Sequence, residues 1–199
     1  MSNRDSDDNG LQLPDDYAED TGASKQESSR ETESLSILDQ YEIFPTQIEN
    51  MNEQFVKMTI NGSLVIKDIS LPSDKVPHVE WPRSEQDQKN DSNTIWFDEL
   101  ELKDALADCV ESRTTVDRDT PELEITIDRF NEYEQDSIRG FIDVTINGAM
   151  TINGLKLMYN ENDGEYWIAW PSRQGGDGNW YDLFWAPEHF TQTIIKQVQ

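Results

Sequence analysis

Two stretches decide how this chain is read: residues 55–71, FVKMTINGSLVIKDISL, and residues 141–157, FIDVTINGAMTINGLKL. They align without a gap, Phe141 following Phe55 by 86 positions. Phe55/Phe141, Thr59/Thr145, Ile60/Ile146, Asn61/Asn147, Gly62/Gly148, Ile66/Ile152 and Leu71/Leu157 are identical. An Asn-Gly pair between apolar runs is a strong hairpin signal, because a type I′ turn needs φ > 0 at both central residues. The stretches therefore predict two equivalent hairpins, Phe55–Ile60 with Leu64–Leu71 and Phe141–Ile146 with Met150–Met158. A third such pair, Asn153-Gly154, aligns with Lys67-Asp68, which is a poor turn pair. It is read as a bulge inside a strand.

Further landmarks recur in the same order on either side. Val79-Glu80-Trp81-Pro82 mirrors Ile168-Ala169-Trp170-Pro171. Trp96-Phe97-Asp98 is matched to Trp180-Tyr181-Asp182, which makes the intervening loop longer and more polar in the first half. Each half then reads as strand, hairpin, strand and helix. The first strand falls at Tyr41–Phe44 or Leu123–Phe130, where Leu123, Ile125 and Ile127 alternate with polar residues. The fourth falls at Tyr166–Trp170, stopped by Pro171, or in shortened form at His78–Trp81, stopped by Pro82. Helices are predicted over Glu99–Val110, with Leu102, Ala105, Leu106 and Cys109 on one face, and over Glu188–Val198 behind Pro187. The fold class is α+β, with small antiparallel sheets in tandem units at 39–112 and 113–199. A polar connector covers about 111–120. Residues 1–38 lack the apolar mass to offset ordering entropy and are expected to be a disordered acidic tail.

The chain has 199 residues, 41 of them acidic and 16 basic, for a formal net charge of −25. Nucleic-acid binding through phosphates needs clustered Lys and Arg, and no stretch supplies a cluster. The same balance repels anionic membrane surfaces. It suits solubility, a basic protein partner, or mimicry of a nucleic-acid surface. The single cysteine, Cys109, excludes an intramolecular disulfide and fits a reducing compartment. No apolar h-region opens the sequence, and no run approaches the roughly 18 apolar residues of a membrane helix. A cytoplasmic protein with no membrane partner is expected.

No constellation for catalysis is visible, so the chain is read as non-enzymatic and without a cofactor. His78 and His189 stand alone, and no set of ligands has metal-site spacing. Cys109 sits on an apolar helix face without a nearby activating His. Gly175-Gly176-Asp177-Gly178 lacks the spacing and the Lys of a phosphate loop and is read as a hairpin loop. The aromatic cluster is more informative: Tyr166, Trp167, Trp170, Trp180 and Trp185 lie within twenty residues. Strand alternation divides such residues between two faces. One face is core, and the other is either further packing between units or a platform for stacking bases or anchoring a protein.

Residues 140–187 resemble the SpoVG family of bacterial sporulation and septation proteins. The resemblance rests on Gly164-Glu165-Tyr166-Trp167-Ile168-Ala169-Trp170-Pro171-Ser172-Arg173, then Asp177-Gly178, Tyr181-Asp182 and Pro187. It covers roughly 121–198. The first half reads as a degenerate copy that keeps Trp81-Pro82-Arg83. The resemblance implies a small, strongly bent sheet with a C-terminal helix, and a dimer. A tandem copy would then act as an intramolecular pseudo-dimer. It also implies a regulatory role with nucleic-acid binding, in septation- or sporulation-type control. Lys156, Arg173 and Lys196 are the basic residues in place for that contact. The basic helix is largely lost, since Glu188–Val198 keeps only Lys196. The expected partners are thus a weakly held nucleic acid or, on the alternative reading, a basic protein.

Overall fold

The computed structural model describes residues 36–74, 78–90 and 92–199. Both TING turns are type I′, with φ of +46° and +65° at Asn61 and Gly62 and +47° and +64° at Asn147 and Gly148. Each is closed by a short bond, Ser63 N–H to the Ile60 carbonyl and Ala149 N–H to the Ile146 carbonyl, both 3.0 Å. They join β2 (Phe55–Ile60) to β3 (Leu64–Ser70), and β6 (Ile138–Ile146) to β7 (Met150–Asn160).

The first half also contains α1 (residues 36–41), β1 (Pro45–Asn50), α2 (Glu85–Asn90), β4 (Ile95–Phe97) and α3 (Leu100–Ser112). The second half adds β5 (Ile125–Gln135), β8 (Glu165–Ala169), β9 (Ser172–Gln174) and β10 (Trp180–Asp182). It ends with β11 (Phe184–Trp185) and α4 (Glu188–Val198). The class is α+β, with small antiparallel sheets and a C-terminal helix.

The bulge expected at Asn153-Gly154 is present. Val144 pairs with Ile152 and Ile142 with Leu155, so Asp143 alone faces two residues, and Gly154 has φ +79°. The buried Asp143 carboxylate accepts the Gly154 N–H at 2.8 Å and satisfies the displaced amide. The first half has the same bulge, with Lys57 facing Lys67 and Asp68, and Asp68 takes φ +58°.

Apart from the two-stranded β9–β10 ribbon, the sheets are assembled across the two halves. One is ordered β1-β2-β3-β11, and the other β5-β6-β7-β4 with β8 also on β7. β4, from the first half, therefore closes a sheet of the second, and β11, from the second half, closes the sheet of the first. The registers match: Ile95 faces Ile152 and Trp96 faces Thr151, while Phe184 faces Ile66 and Trp185 faces Val65. Two further bonds repeat the relation at 2.8 Å, Asn153 N–H to the Thr94 carbonyl and Lys67 N–H to the Leu183 carbonyl. The buried apolar side chains, among them Met58, Ile66, Ile95, Ile152, Phe184 and Ile194, form one continuous cluster.

These registers correct the sequence alignment. The counterpart of Trp96 is Trp185, not Trp180, and Ile95 corresponds to Phe184. The segment between Pro82 and Ile95 then equals in length that between Pro171 and Phe184, so the first half has no longer loop. The difference lies in conformation: the first half places α2 there, and the second places the β9–β10 hairpin. The strand expected at Tyr41–Phe44 is also displaced. Residues 36–41 are helical, within the stretch expected to be tail up to residue 38, and Leu38 is fully buried. The strand runs instead from Pro45, whose missing N–H is tolerated at a strand's first residue. The remainder of the acidic tail, through residue 35, lies outside the described residues. His78–Trp81 forms no strand, only a bridge between Ser70 and Glu80, which matches the Lys156–Ala169 pair of β7 and β8.

Candidate interaction surface

The expected basic residues lie on three elements. Lys156 is exposed on β7 between Phe141 and Ala169. Phe190 of α4 packs against Trp170 with ring centroids 6.2 Å apart, on the side of the buried Ile168. Strand alternation turns Ala169, and with it Lys156, to the other side. Lys196 lies exposed in the last turn of α4, so the sheet stands between the two ammonium groups.

Arg173, on β9, is already engaged. Its Nε donates to the Asp68 carboxylate at 2.6 Å, and its guanidinium lies 5.4 Å from the centre of the Phe55 ring. Asp68 sits in the left-handed region at the first-half bulge, nearly buried, so the ion pair ties the two halves together. Arg173 does share a cleft of about 670 Å³ with Arg83, His78 and Lys103, beside the Trp81 and Phe97 rings. The same walls carry Asp68, Glu80 and Asp98.

The aromatic residues divide as alternation requires. The half-buried Trp170 packs on Phe184 and Phe190 against the core, and Tyr166 meets Tyr159 in a tilted contact with centroids 4.7 Å apart. Trp167, Trp180 and Trp185 are exposed. On the β9–β10 hairpin the Tyr181 hydroxyl donates to Asp177 at 2.5 Å, which holds that carboxyl below its usual range and raises the phenol. The Gly175–Gly178 stretch is the loop of this hairpin. Cys109 is buried on α3, and His78 and His189 are exposed.

Sequence reasoning overlooked Trp96. The cross-strand rows Gln47–Thr59–Val65–Trp185 and Thr126–Thr145–Thr151–Trp96 run in register over the two sheets. Each ends in a tryptophan from the opposite half, Trp185 52% exposed and Trp96 54%. The available signal was the alternation around them: each follows a buried residue, Phe184 or Ile95. Compared with protein-family models, curated proteins and solved structures, the chain matches none.

Trp96 also borders a second, open cleft of about 680 Å³ with Asp87, Asp98, Asp128, Arg129, Thr145 and Thr151. Arg129 is committed to the buried Asp143 through its Nε at 2.7 Å. Asp87 is the fixed carboxylate of the cleft. Partial burial works against its charge, but hydroxyl hydrogen bonds from Ser84, Ser92 and Thr94, together with the Arg83 charge, bring its pKa below the ordinary value of 3.8. A depressed folded-state pKa stabilises the protein above the unfolded value and loses that effect as pH falls through the folded one. Asp87→Asn is therefore expected to lower the urea midpoint at pH 7, with the deficit shrinking as pH falls below the ordinary carboxylate value of 3.8 and Asp87 takes up its proton. A deficit that persists unchanged at low pH would assign the effect to geometry instead of charge.

Proposed function

We propose that this chain is a non-enzymatic regulatory protein whose halves stand to each other as the protomers of a SpoVG-type dimer, and that it acts by holding a basic protein partner. Reciprocal donation of β4 and β11 supports the first part, since each half completes its sheet with a strand from the other. It also covers part of the sheet edges that a lone unit would leave open. The regulatory setting, septation- or sporulation-type control, follows from the resemblance of residues 140–187.

The Arg173–Asp68 ion pair carries the second part. The one basic residue kept in the Pro-Ser-Arg loop is neutralised inside the protein, while the chain as a whole has a charge of −25. Such a field raises the encounter rate with cationic surfaces and opposes approach of nucleic acid. Salt-titrated binding tests the proposal with two probes, an arginine- and lysine-rich polypeptide and a single-stranded oligonucleotide. The polypeptide is expected to bind at low salt and to weaken as salt rises. Binding of the oligonucleotide alone would overturn the proposal.

One observation favours a second reading, weak single-strand binding: Arg83 and Arg173 line the same cleft as Trp81 and Phe97. Arginine beside half-buried rings that still line a cleft suits stacked bases. Asp68→Asn would release the Arg173 guanidinium while keeping a side chain that tolerates left-handed backbone. On this reading the variant gains oligonucleotide affinity severalfold, and its salt slope steepens by about one. An unchanged affinity removes the reading.

A further inference from the structure

Resting on the basic-partner reading, we infer that arginine side chains of the partner are received at the Trp96 cleft, stacked on the indole and held by Asp98 and Asp128. The indole is displayed rigidly. Ile95 before it is buried, Trp96 pairs in register with Thr151, and the Asp98 N–H bonds the Ala149 carbonyl at 3.0 Å. Half of a tryptophan left exposed on so fixed a support has the character of an interface anchor.

The charges around it fit one kind of occupant. Among the described residues, the carboxylates of Asp98 and Asp128 make no hydrogen bond or ion pair, and Asp87 stays ionised through its hydroxyl partners. Arg129, the cation that lines the cleft among the described residues, is spent on Asp143. A guanidinium is planar, weakly hydrated and permanently charged, so it can lie flat on an indole while donating to carboxylates at its edge. The row-end counterpart, Trp185, provides an internal control. Its backbone setting is the same, but its sheet carries Lys67, whose N–H bonds the carbonyl of Leu183 beside β11, while Lys57, on the face of Thr59, is paired with Glu49 at 3.2 Å. Equal exposure with different charge predicts that only Trp96 binds arginine.

The test uses the full chain and a short arginine-rich peptide, with affinity measured by calorimetry at several salt concentrations. Trp96→Ala is expected to weaken binding by roughly fivefold, the scale of a lost cation–π contact. Asp98→Asn with Asp128→Asn should weaken it further and flatten the salt dependence, while Trp185→Ala should leave it unchanged. Asp128 lies on β5, away from the strand that carries Trp96, so Asp128→Asn alone keeps the test valid if Trp96→Ala unfolds. Wild-type affinity in both Trp96→Ala and Asp128→Asn overturns the site, as does an equal loss in Trp185→Ala. Absence of any peptide binding by the wild-type chain at low salt overturns the basic-partner proposal itself.

Discussion

Phe184→Ala is expected to lower the unfolding free energy by about 3–5 kcal/mol, the usual cost of removing a fully buried phenylalanine. Phe184 is 0% exposed, faces Ile66 across β3 and packs against Trp170 at 6.1 Å. It belongs to the second half by sequence and to the first sheet by pairing. The loss should therefore spread beyond its own surroundings. Hydrogen exchange is expected to quicken at β2 and β3 as well as at α4. Exchange confined to residues after Pro171 would contradict the cross-half role of β11. The corresponding change in the other direction, Ile95→Ala, should cost about 2–5 kcal/mol and loosen β6 and β7.

Asn61→Ala is expected to cost about 3 kcal/mol in urea unfolding, combining two separable losses. The Asn61 Oδ1 accepts the buried Phe44 N–H at 2.7 Å, and its Nδ2 donates to the carbonyls of Glu42 at 2.9 Å and Pro121 at 3.0 Å. Removal leaves a buried amide unpaired, worth about 1–3 kcal/mol. It also places alanine in the left-handed region, worth about 1–2 kcal/mol. Asn61→Gly should recover the backbone part and retain the hydrogen-bond loss. Asn61→Asp keeps an acceptor for Phe44 but gives up the donor that reaches Pro121 in the other half. If all three variants unfold at the wild-type midpoint, Asn61 is a turn residue only.

Asn147 repeats this arrangement. Its Oδ1 accepts the Glu124 N–H at 2.7 Å, and its Nδ2 donates to the Tyr41 carbonyl at 3.0 Å and the Glu42 carbonyl at 2.9 Å. The conserved-looking pair in the repeat thus has a second job beyond φ > 0. Each asparagine fastens its own turn to the strand beginning beside it, and then reaches a carbonyl in the opposite half. Glycine at either position would supply the turn but not the fastening.

Much of the local structure was legible. The two hairpins, the bulge at Asn153-Gly154, β8 and both long helices follow from φ preferences and from the spacing of apolar residues. The first strand was not. Pro45, Gln47 and Asn50 have weak strand character, and β1 is held mainly by the neighbouring β2. The Trp96 correspondence failed for a related reason. Trp-Tyr-Asp at 180–182 resembles Trp-Phe-Asp at 96–98 more closely than Phe184-Trp185 does. What fixes the equivalence is which residue faces Ile152 or Ile66, and both lie in the other half.

The repeated segments are read in the sequence itself, and so are the type I′ turns and the alternation that divides core from surface, because those two depend on the torsions or periodicity of neighbouring residues. The sequence by itself also determined the net charge, which no fold can change. Only the tertiary structure decided that the halves exchange β4 and β11, that Arg173 meets Asp68 from 105 positions away, and that Trp96 stands outward beside carboxylates. Pairing partners and ion pairs of that kind depend on which surfaces are buried together. No local preference along the chain encodes that choice.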